Sequence, residues 1–204
     1  MPTRVYLVRH GITAWHRDGR MLGQRDIPLD PDGVGQADAA AQALAVAGIG
    51  EVVSSPLVRA VQTAEIVGRR AGIEVARDPR LTDLRIGAWE GQRVGDVTAT
   101  AEYQRFASDP EGERPPGGES LPELMRRTAA AVEQILTDNP AGEAVAVVTH
   151  AAVIRVLLLH YLKAPLASYH RLRIAPGSIS VLSFTGVRPS VLAIDWTAEL
   201  ARMP

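Results

Sequence analysis

The stretch from Glu143 to Leu162 constrains the fold more than any other part of the chain. "EAVAVVTH" is a continuous apolar run of strand length, which is typical of a central parallel strand covered on both faces. "AAVIRVLLLHYL" follows at once and has the length and composition of an apolar helix. A buried strand that leads directly into a helix indicates a sheet with helices packed on it.

The same alternation of strand and helix runs through the rest of the chain. Short strands are predicted in "RVYLVRH", "EVVSS" and "IEVAR", and "SISVLSF" and "SVLAIDW" are predicted to close the sheet as an antiparallel pair. One helix is predicted in "GQADAAAQALAVAG", ending at Gly48, and a second from Ser55 as N-cap and Pro56 as first helical residue up to Gly72. A third begins at the capping box "SLPE" and runs to about Leu136. The predicted fold is a three-layer α/β/α sandwich whose central sheet is mostly parallel with an antiparallel edge strand.

Length and composition favour one domain over residues 1–204, because 204 residues with 46% hydrophobic content suit a single α/β core. The segment around 91–118 is predicted to form a lid or cap. A formal net charge of −1 gives no reason to expect a nucleic-acid or membrane surface. The chain has no cysteine, which excludes disulfides and thiolate zinc sites. No signal-peptide core or span-length apolar run is present, so a cytoplasmic protein is expected, either monomer or homodimer.

Basic side chains stand where predicted strands end. Arg9 and His10 close the first strand in "LVRHGITAW", His150 closes "VAVVTH", and Arg59 lies about one turn into the helix after "EVVSS". In open α/β sheets the ligand crevice lies beyond the carboxyl ends of the strands. The helix that begins after His150 would add free N–H groups there. These residues therefore predict an anion pocket suited to a phosphoryl group, although a lone strand-end Arg is usually solvated and a lone His is usually structural.

Six stretches in this order resemble the histidine phosphatase superfamily, which includes cofactor-dependent phosphoglycerate mutases and many small phosphatases. They extend from Leu7 to about Leu158: "LVRHGITAW", "GQRDIPLDPDGVGQA", "VVSSPLVRAVQTAEIV", "LTDLRIGAWEG", "PGGES" and "VVTHAAVIRVLL". The resemblance implies a phosphoglycerate mutase-like fold, in agreement with the sandwich predicted from the pattern. It also implies covalent catalysis that needs no cofactor, and no His pair has the close helical spacing of a zinc protease.

The resemblance assigns the catalytic roles. His10 is implied as the nucleophile, Arg9 and Arg59 as clamps on the phosphoryl oxygens, and His150 as a donor to an equatorial oxygen. The general acid is implied at Asp83, where the family usually has Glu. This shorter and stronger acid needs a raised pKa, and the alternative is that Asp83 only caps a turn. Glu90 is a less favoured substitute.

The resemblance also implies substrate-binding residues, with two open alternatives. His16 stands where the family commonly has Asn, and it either donates to the phosphate or faces solvent. Thr13 either adds a hydroxyl to the phosphate or caps the next turn, and Gln24 is expected near the pocket mouth. Glu119 and Ser120 are expected to cap a helix, with a secondary role in the pocket. His160 and His170 are expected to support packing or to lie on the surface.

Three functions compete. The leading hypothesis is a phosphomonoesterase that hydrolyses a small phosphorylated metabolite through a phosphohistidine. The first alternative is a cofactor-dependent phosphoglycerate mutase, which is disfavoured because 204 residues leave little room for the segments that exclude water and because apolar Ile12 follows "RHG". The second is a non-catalytic phosphate-binding module. The sequence does not indicate which phosphomonoester is the substrate.

Overall fold

A mixed sheet forms the centre of the protein in a computed structural model that describes residues 3–139, 142–185 and 188–197. Within these residues the strand order is β3-β2-β4-β1-β5-β6. Strands β3, β2, β4 and β1 are parallel neighbours, β5 is antiparallel to β1, and β6 is antiparallel to β5. The strands are β1 (Thr3–Arg9), β2 (Ile49–Ser54), β3 (Val75–Arg77), β4 (Ala144–Thr149), β5 (Ile179–Thr185) and β6 (Arg188–Trp196).

Helices cover both faces of this sheet, because its central strands are apolar on both sides. Val5 and Leu7 of β1 pack with α6 and α7, whereas Tyr6 and Val8 pack with α2 and α3. The alternation follows the two-residue period of a strand. The helices are α1 (Ala14–Arg17), α2 (Pro31–Ala47), α3 (Val58–Ala71), α4 (Val94–Thr98), α5 (Ala101–Ser108), α6 (Leu121–Asp138) and α7 (Ala151–Leu162). The predicted three-layer sandwich and the closing antiparallel pair are confirmed.

Local sequence signals predict the start of one helix correctly and the starts of two others incorrectly. The capping box at the start of α6 is present, with Ser120 and Glu123 each accepting from the other's backbone N–H. Helix α2 begins at Pro31 instead of Gly35, because the Asp30 carboxylate accepts from Gly33 N and caps the extra turn. The prediction that Ser55 caps α3 is wrong, since that helix begins at Val58. The backbone N–H of Ser55 still donates to β4, so the chain remains extended there.

The segment between β3 and α4 is irregular apart from two short 3₁₀ turns. Two short 3₁₀ turns, Pro79–Leu81 and Gly87–Trp89, precede α4 and α5. Their apolar side chains join the core on the α6 and α7 face of the sheet. Among the described residues, none of the helices combines the length and apolarity that crossing a bilayer would require.

Glycine allows the turn after β1 to pack directly on α2. A Cβ atom on Gly11 would overlap the carbonyl oxygen of Gly33, so the two backbones approach as closely as only glycine permits. The carbonyl of Gly11 is at the same time the partner of the His10 ring. This close packing therefore fixes the backbone that orients His10.

Candidate active site

The pairing of β1 with β4 places the two predicted site histidines side by side. His10 follows β1 and His150 follows β4, and His10 N donates to the carbonyl of Thr149 at 3.0 Å. Both imidazoles are buried, and their ring centroids lie 5.0 Å apart. The carboxyl ends of two parallel strands thus meet as the topology argument predicts.

His10 is held with one ring nitrogen engaged by backbone and the other facing a guanidinium. Its Nδ1 lies 2.7 Å from the Gly11 carbonyl oxygen, and Arg59 Nε donates to its Nε2 at 3.2 Å. Because arginine Nε always carries a proton, Nε2 accepts and Nδ1 carries the ring proton. Burial, and then the charge of Arg59, lowers the pKa of His10 well below its usual value. His10 is therefore neutral near pH 7, with its lone pair on Nε2.

Arg59 connects the nucleophile candidate to the acid candidate. Its Nη2 donates to Asp83 Oδ2 at 3.0 Å and to the Gly23 carbonyl at 2.7 Å, and its Nη1 donates to the Arg25 carbonyl at 2.7 Å. The side chain is fully buried. Arg59 and His150 contact His10 and Asp83 but are not among the residues that line the pocket, which was not expected from the sequence.

Asp83 follows the first 3₁₀ turn, Pro79–Leu81, and its carboxyl group lies beside Arg59 and His150. Its Oδ1 accepts from its neighbour Leu84 N at 2.9 Å, which is the turn contact considered from the sequence. Its Oδ2 faces the site, 3.0 Å from Arg59 Nη2 and 3.6 Å from His150 Nδ1. Burial raises the pKa of Asp83, although Arg59 opposes this effect. The raised pKa favours the protonated acid, as a proton donor requires.

A polar network holds the Asp83 loop from behind. The Gln24 side-chain amide donates to the Asp83 carbonyl at 2.9 Å, and Arg127 Nη2 donates to the same oxygen at 3.1 Å. Arg127 also binds Glu119 through both Nε and Nη2, and Glu119 accepts from Arg85 N. Gln24 and Glu119 therefore contact the acid loop and do not line the pocket that contains His10. Nothing in the sequence pattern distinguished Arg127 from a surface arginine.

Glu90 supports the neighbouring loop and lies away from the two histidines. Its Oε1 accepts from Gln24 N at 3.0 Å, and its Oε2 pairs with Arg25 Nε at 3.2 Å. These contacts leave Asp83 as the carboxylate that faces His150 and Arg59.

Arg9 is anchored by backbone on one side and by His16 on the other. Its Nη1 donates to the Ile174 carbonyl at 2.6 Å, and its Nη2 donates to His16 Nε2 at 2.8 Å. His16 Nδ1 lies 2.9 Å from the hydroxyl of the buried Thr13. Burial, and then the charges of Arg9 and Arg59, lowers the pKa of His16 to about 4. His16 thus faces the pocket as a neutral ring that accepts from Arg9.

This arrangement predicts that His16 makes the free energy of unfolding depend on pH in the acid range. Its pKa is lower in the folded state than in the unfolded chain, so its contribution to stability is complete above about pH 6.5 and is lost as the pH falls toward 4. His16→Asn is expected to reduce the pH dependence of the free energy of unfolding by at most about 1.4 kcal/mol per pH unit in that window. Urea unfolding at several pH values measures it, and parallel pH profiles for the two proteins would contradict the assignment.

Ser55 is a site residue that the sequence argument assigned to another role. Its hydroxyl lies 2.8 Å from His150 Nε2, and both residues are fully buried. His150 Nδ1, in contrast, has no hydrogen-bond partner among the described residues. If Nε2 accepts from the Ser55 hydroxyl, Nδ1 carries a proton directed toward Asp83 Oδ2. Ser55 can therefore set the tautomer in which His150 is a donor.

Ser55→Ala is expected to lower kcat by about tenfold with little change in KM, because the tautomer of His150 would no longer be fixed. Ser55→Thr keeps the hydroxyl and is expected to restore most of the activity. Steady-state kinetics of the two variants measures this effect. Equal losses in alanine and threonine variants would indicate packing and not the hydroxyl.

The pocket in front of these groups has a volume of about 280 Å³. Arg9, His10, His16 and Asp83 form its polar end, and the rest of the wall is mainly apolar or aromatic. The wall also contains Arg155 and His170, and His170 was expected from sequence only to support packing or the surface. The apolar and aromatic members are Met21, Leu22, Leu84, Ile86, Trp89, Val94, Tyr103, Phe106, Ala151, Ala152 and Tyr169.

Comparison with known proteins identifies the family of this site. The sequence model of the histidine phosphatase superfamily (branch 1) matches residues 5–197. The chain is 37% identical over 200 residues to a protein named "Probable phosphoglycerate mutase GpmB" from Yersinia pestis (strain Pestoides F), covering 97% of this chain and 92% of the relative.

Similar solved structures carry phosphatase names. A mycobacterial glucosyl-3-phosphoglycerate phosphatase superposes with a TM-score of 0.87 at 29% identity, over 97% of this chain and 100% of the other. A mutant phosphoserine phosphatase from Entamoeba histolytica in complex with phosphoserine gives 0.88 at 27% identity, over 97% and 99%. Together with the match over nearly the whole sequence, this likeness shows that the chain belongs to the histidine phosphatase superfamily.

Proposed function

We propose that this protein hydrolyses a small cytoplasmic phosphomonoester through a phosphohistidine at His10. One observation carries the proposal: a neutral imidazole presents its Nε2 lone pair beside Arg59, which also binds the carboxylate of Asp83. Nucleophile, cation and acid are thus joined through one guanidinium at the end of a pocket. A neutral imidazole is a competent nucleophile near pH 7.

In the first step His10 Nε2 attacks phosphorus and the bond from phosphorus to the ester oxygen breaks. Asp83 gives its proton to that oxygen, so the alcohol leaves without forming an alkoxide. Arg9, Arg59 and the Nδ1–H of His150 hold the non-bridging oxygens as charge is redistributed. For this to happen, phosphoryl oxygens must replace the contacts that Arg59 now makes with His10 Nε2 and Asp83 Oδ2.

In the second step water attacks the phosphohistidine. The Asp83 carboxylate takes a proton from the water, the bond between phosphorus and Nε2 breaks, and inorganic phosphate leaves. His10 and protonated Asp83 are regenerated, so one phosphomonoester and one water yield one alcohol and one phosphate. The raised pKa of Asp83 supports both roles, because it brings the two protonation states closer in free energy.

The remaining predicted residues have supporting roles in this proposal. His16 and Thr13 hold Arg9 for the phosphoryl group, and Gln24 holds the Asp83 loop. We propose that residues 1–204 act as one domain and that the segment 91–118 is the cover of the pocket, because Val94, Tyr103 and Phe106 come from it.

Mutase activity is the second candidate, and it is favoured by the 37% identity to a relative named as a probable phosphoglycerate mutase. The pocket wall favours hydrolysis, since its apolar and aromatic side chains offer few partners to the hydroxyl of a phosphoglycerate that must be rephosphorylated. A non-catalytic phosphate-binding module is the third candidate. A module that only binds phosphate does not need an acid, so it would not explain why the Asp83 carboxyl group faces His150 and Arg59.

A panel of phosphomonoesters tests these alternatives directly. Phosphate release is measured for each compound, and interconversion of 2- and 3-phosphoglycerate is measured in the presence of 2,3-bisphosphoglycerate. We expect phosphate release to exceed interconversion. Interconversion faster than release would establish the mutase, and phosphate binding without turnover of any compound would support the binding module.

A further inference from the structure

Arg155 is a second cation in the pocket that the proposed mechanism does not use. It lies on α7 in the wall of the cavity and is half-buried. Its Nε donates to the Leu172 carbonyl at 2.8 Å, and its guanidinium carbon lies 5.2 Å from the centroid of the Tyr169 ring. Within the described ranges, no carboxylate forms an ion pair with Arg155. The guanidinium is therefore held in place without being neutralised.

The surroundings of Arg155 are aromatic. The ring of His170 packs edge-on against Tyr169 at 4.9 Å and against Phe106 at 5.8 Å, measured between centroids. Burial, and then the charge of Arg155, lowers the pKa of His170, so that ring is uncharged near neutrality. A guanidinium beside such a wall loses hydration, and an anionic partner offsets this cost.

Arg155 and Arg9 line the same pocket and are anchored on neighbouring backbone carbonyls. Arg155 binds the carbonyl of Leu172, and Arg9 binds the carbonyl of Ile174. Burial, and then the charges of Arg155 and Arg59, lowers the pKa of Arg9 to about 10, so the guanidinium of Arg155 lies close enough to that of Arg9 to affect it. An anion on Arg155 would therefore lie a few bonds from a phosphoryl group on Arg9. The cavity of about 280 Å³ suits a short molecule of this kind.

We propose that Arg155 binds a carboxylate on the alcohol portion of the substrate, so that the site selects short phosphomonoesters carrying a carboxylate a few bonds from the phosphate. The planar edge formed by its two Nη atoms suits a carboxylate, since Nε is already occupied by Leu172. This inference rests on the proposed phosphatase activity and specifies its substrate class.

Matched substrates test the inference without relying on absolute activity. Phosphoserine and phosphoethanolamine differ by one carboxylate, and 4-nitrophenyl phosphate reports activity that needs none. We expect kcat/KM of the unchanged protein to be at least about tenfold higher for phosphoserine than for phosphoethanolamine. Arg155→Gln keeps an N–H group for the Leu172 carbonyl but removes the charge, and it is expected to reduce that ratio at least about tenfold, mainly through KM.

Three further measurements complete the design. Arg155→Met is a second neutral variant in case the glutamine variant does not fold, and Arg155→Lys is expected to retain part of the preference. Arg69→Met, an exposed arginine on α3, is the matched control and should leave the ratio unchanged. A purely structural role for Arg155 would lower stability and both rates together without changing their ratio.

Two results would overturn the inference: no preference for phosphoserine in the unchanged protein, or an unchanged ratio in a folded neutral variant. A preference for a substrate with a second phosphate over any carboxylate would also overturn it. Hydrolysis of 4-nitrophenyl phosphate separates this failure from failure of the proposed function. If that compound and the others release no phosphate, the phosphatase proposal itself is wrong.

Discussion

Replacing His10 by alanine is expected to lower phosphate release by about 10⁴-fold or more and to abolish acid-labile phosphoryl labelling of the protein. The physical reason is that His10 Nε2 carries the lone pair that attacks phosphorus. Arg59 holds this nitrogen on one side, and the Gly11 carbonyl fixes Nδ1 on the other. Rapid quenching after mixing with a labelled phosphomonoester measures the covalent intermediate. Its stability in base and loss in acid identify a phosphohistidine.

His160→Ala is the matched control, because His160 lies at the other end of α7 and takes no part in the proposed chemistry. It is expected to retain both turnover and labelling. His150→Ala is expected to slow labelling without abolishing it, since His150 is proposed to stabilise charge and not to accept the phosphoryl group. Labelling that survives in His10→Ala, or turnover within tenfold of the unchanged protein, would remove His10 as the nucleophile.

The predictable part of the site follows from sheet topology. Arg9, His10 and His150 could be placed together because apolar runs mark their strands and parallel strands end at one edge of the sheet. Asp83 was found through its motif alone, since the loop that carries it has no periodicity. Its contacts with Arg59 and His150 are tertiary, and no local pattern encodes them.

The site residues that the sequence did not reveal are placed by long-range contacts that override local sequence signals. "SSP" has the composition of a helix start, but Ser55 N donates to Val148 of β4, which keeps the chain extended there, and the Ser55 hydroxyl then reaches His150. Arg127 and Arg155 lie on helices whose apolar pattern predicts only a buried face. The sequence pattern does not show which partly exposed side chain on a helix points toward a loop or a pocket. Packing between elements that are far apart in sequence decides this orientation.

Replacing Asp83 by asparagine is expected to slow turnover according to the leaving group. An alkyl ester needs protonation as it departs, so its kcat/KM should fall by about 10²- to 10³-fold, whereas 4-nitrophenyl phosphate should lose less than about tenfold. Burial raises the pKa of Asp83, which favours the protonated acid that the asparagine variant lacks, and the amide keeps an oxygen that can still accept from Arg59. The slope of log kcat/KM against leaving-group pKa, measured over a series of phosphomonoesters, should therefore become steeper in the variant.

Asp83 acts in both steps of the proposed mechanism, which makes the result more specific. With an aryl ester, attack by water on the phosphohistidine becomes the slow step in Asp83→Asn, so a burst of nitrophenol followed by a slower steady rate is expected. Asp138→Asn, an exposed aspartate at the end of α6, is the matched control and should show neither effect. Asp83→Glu places the same group one methylene further out and should retain the leaving-group dependence of the unchanged protein. Equal losses on alkyl and aryl esters, without a burst, would show that Asp83 only positions Arg59 and that the proton comes from another group.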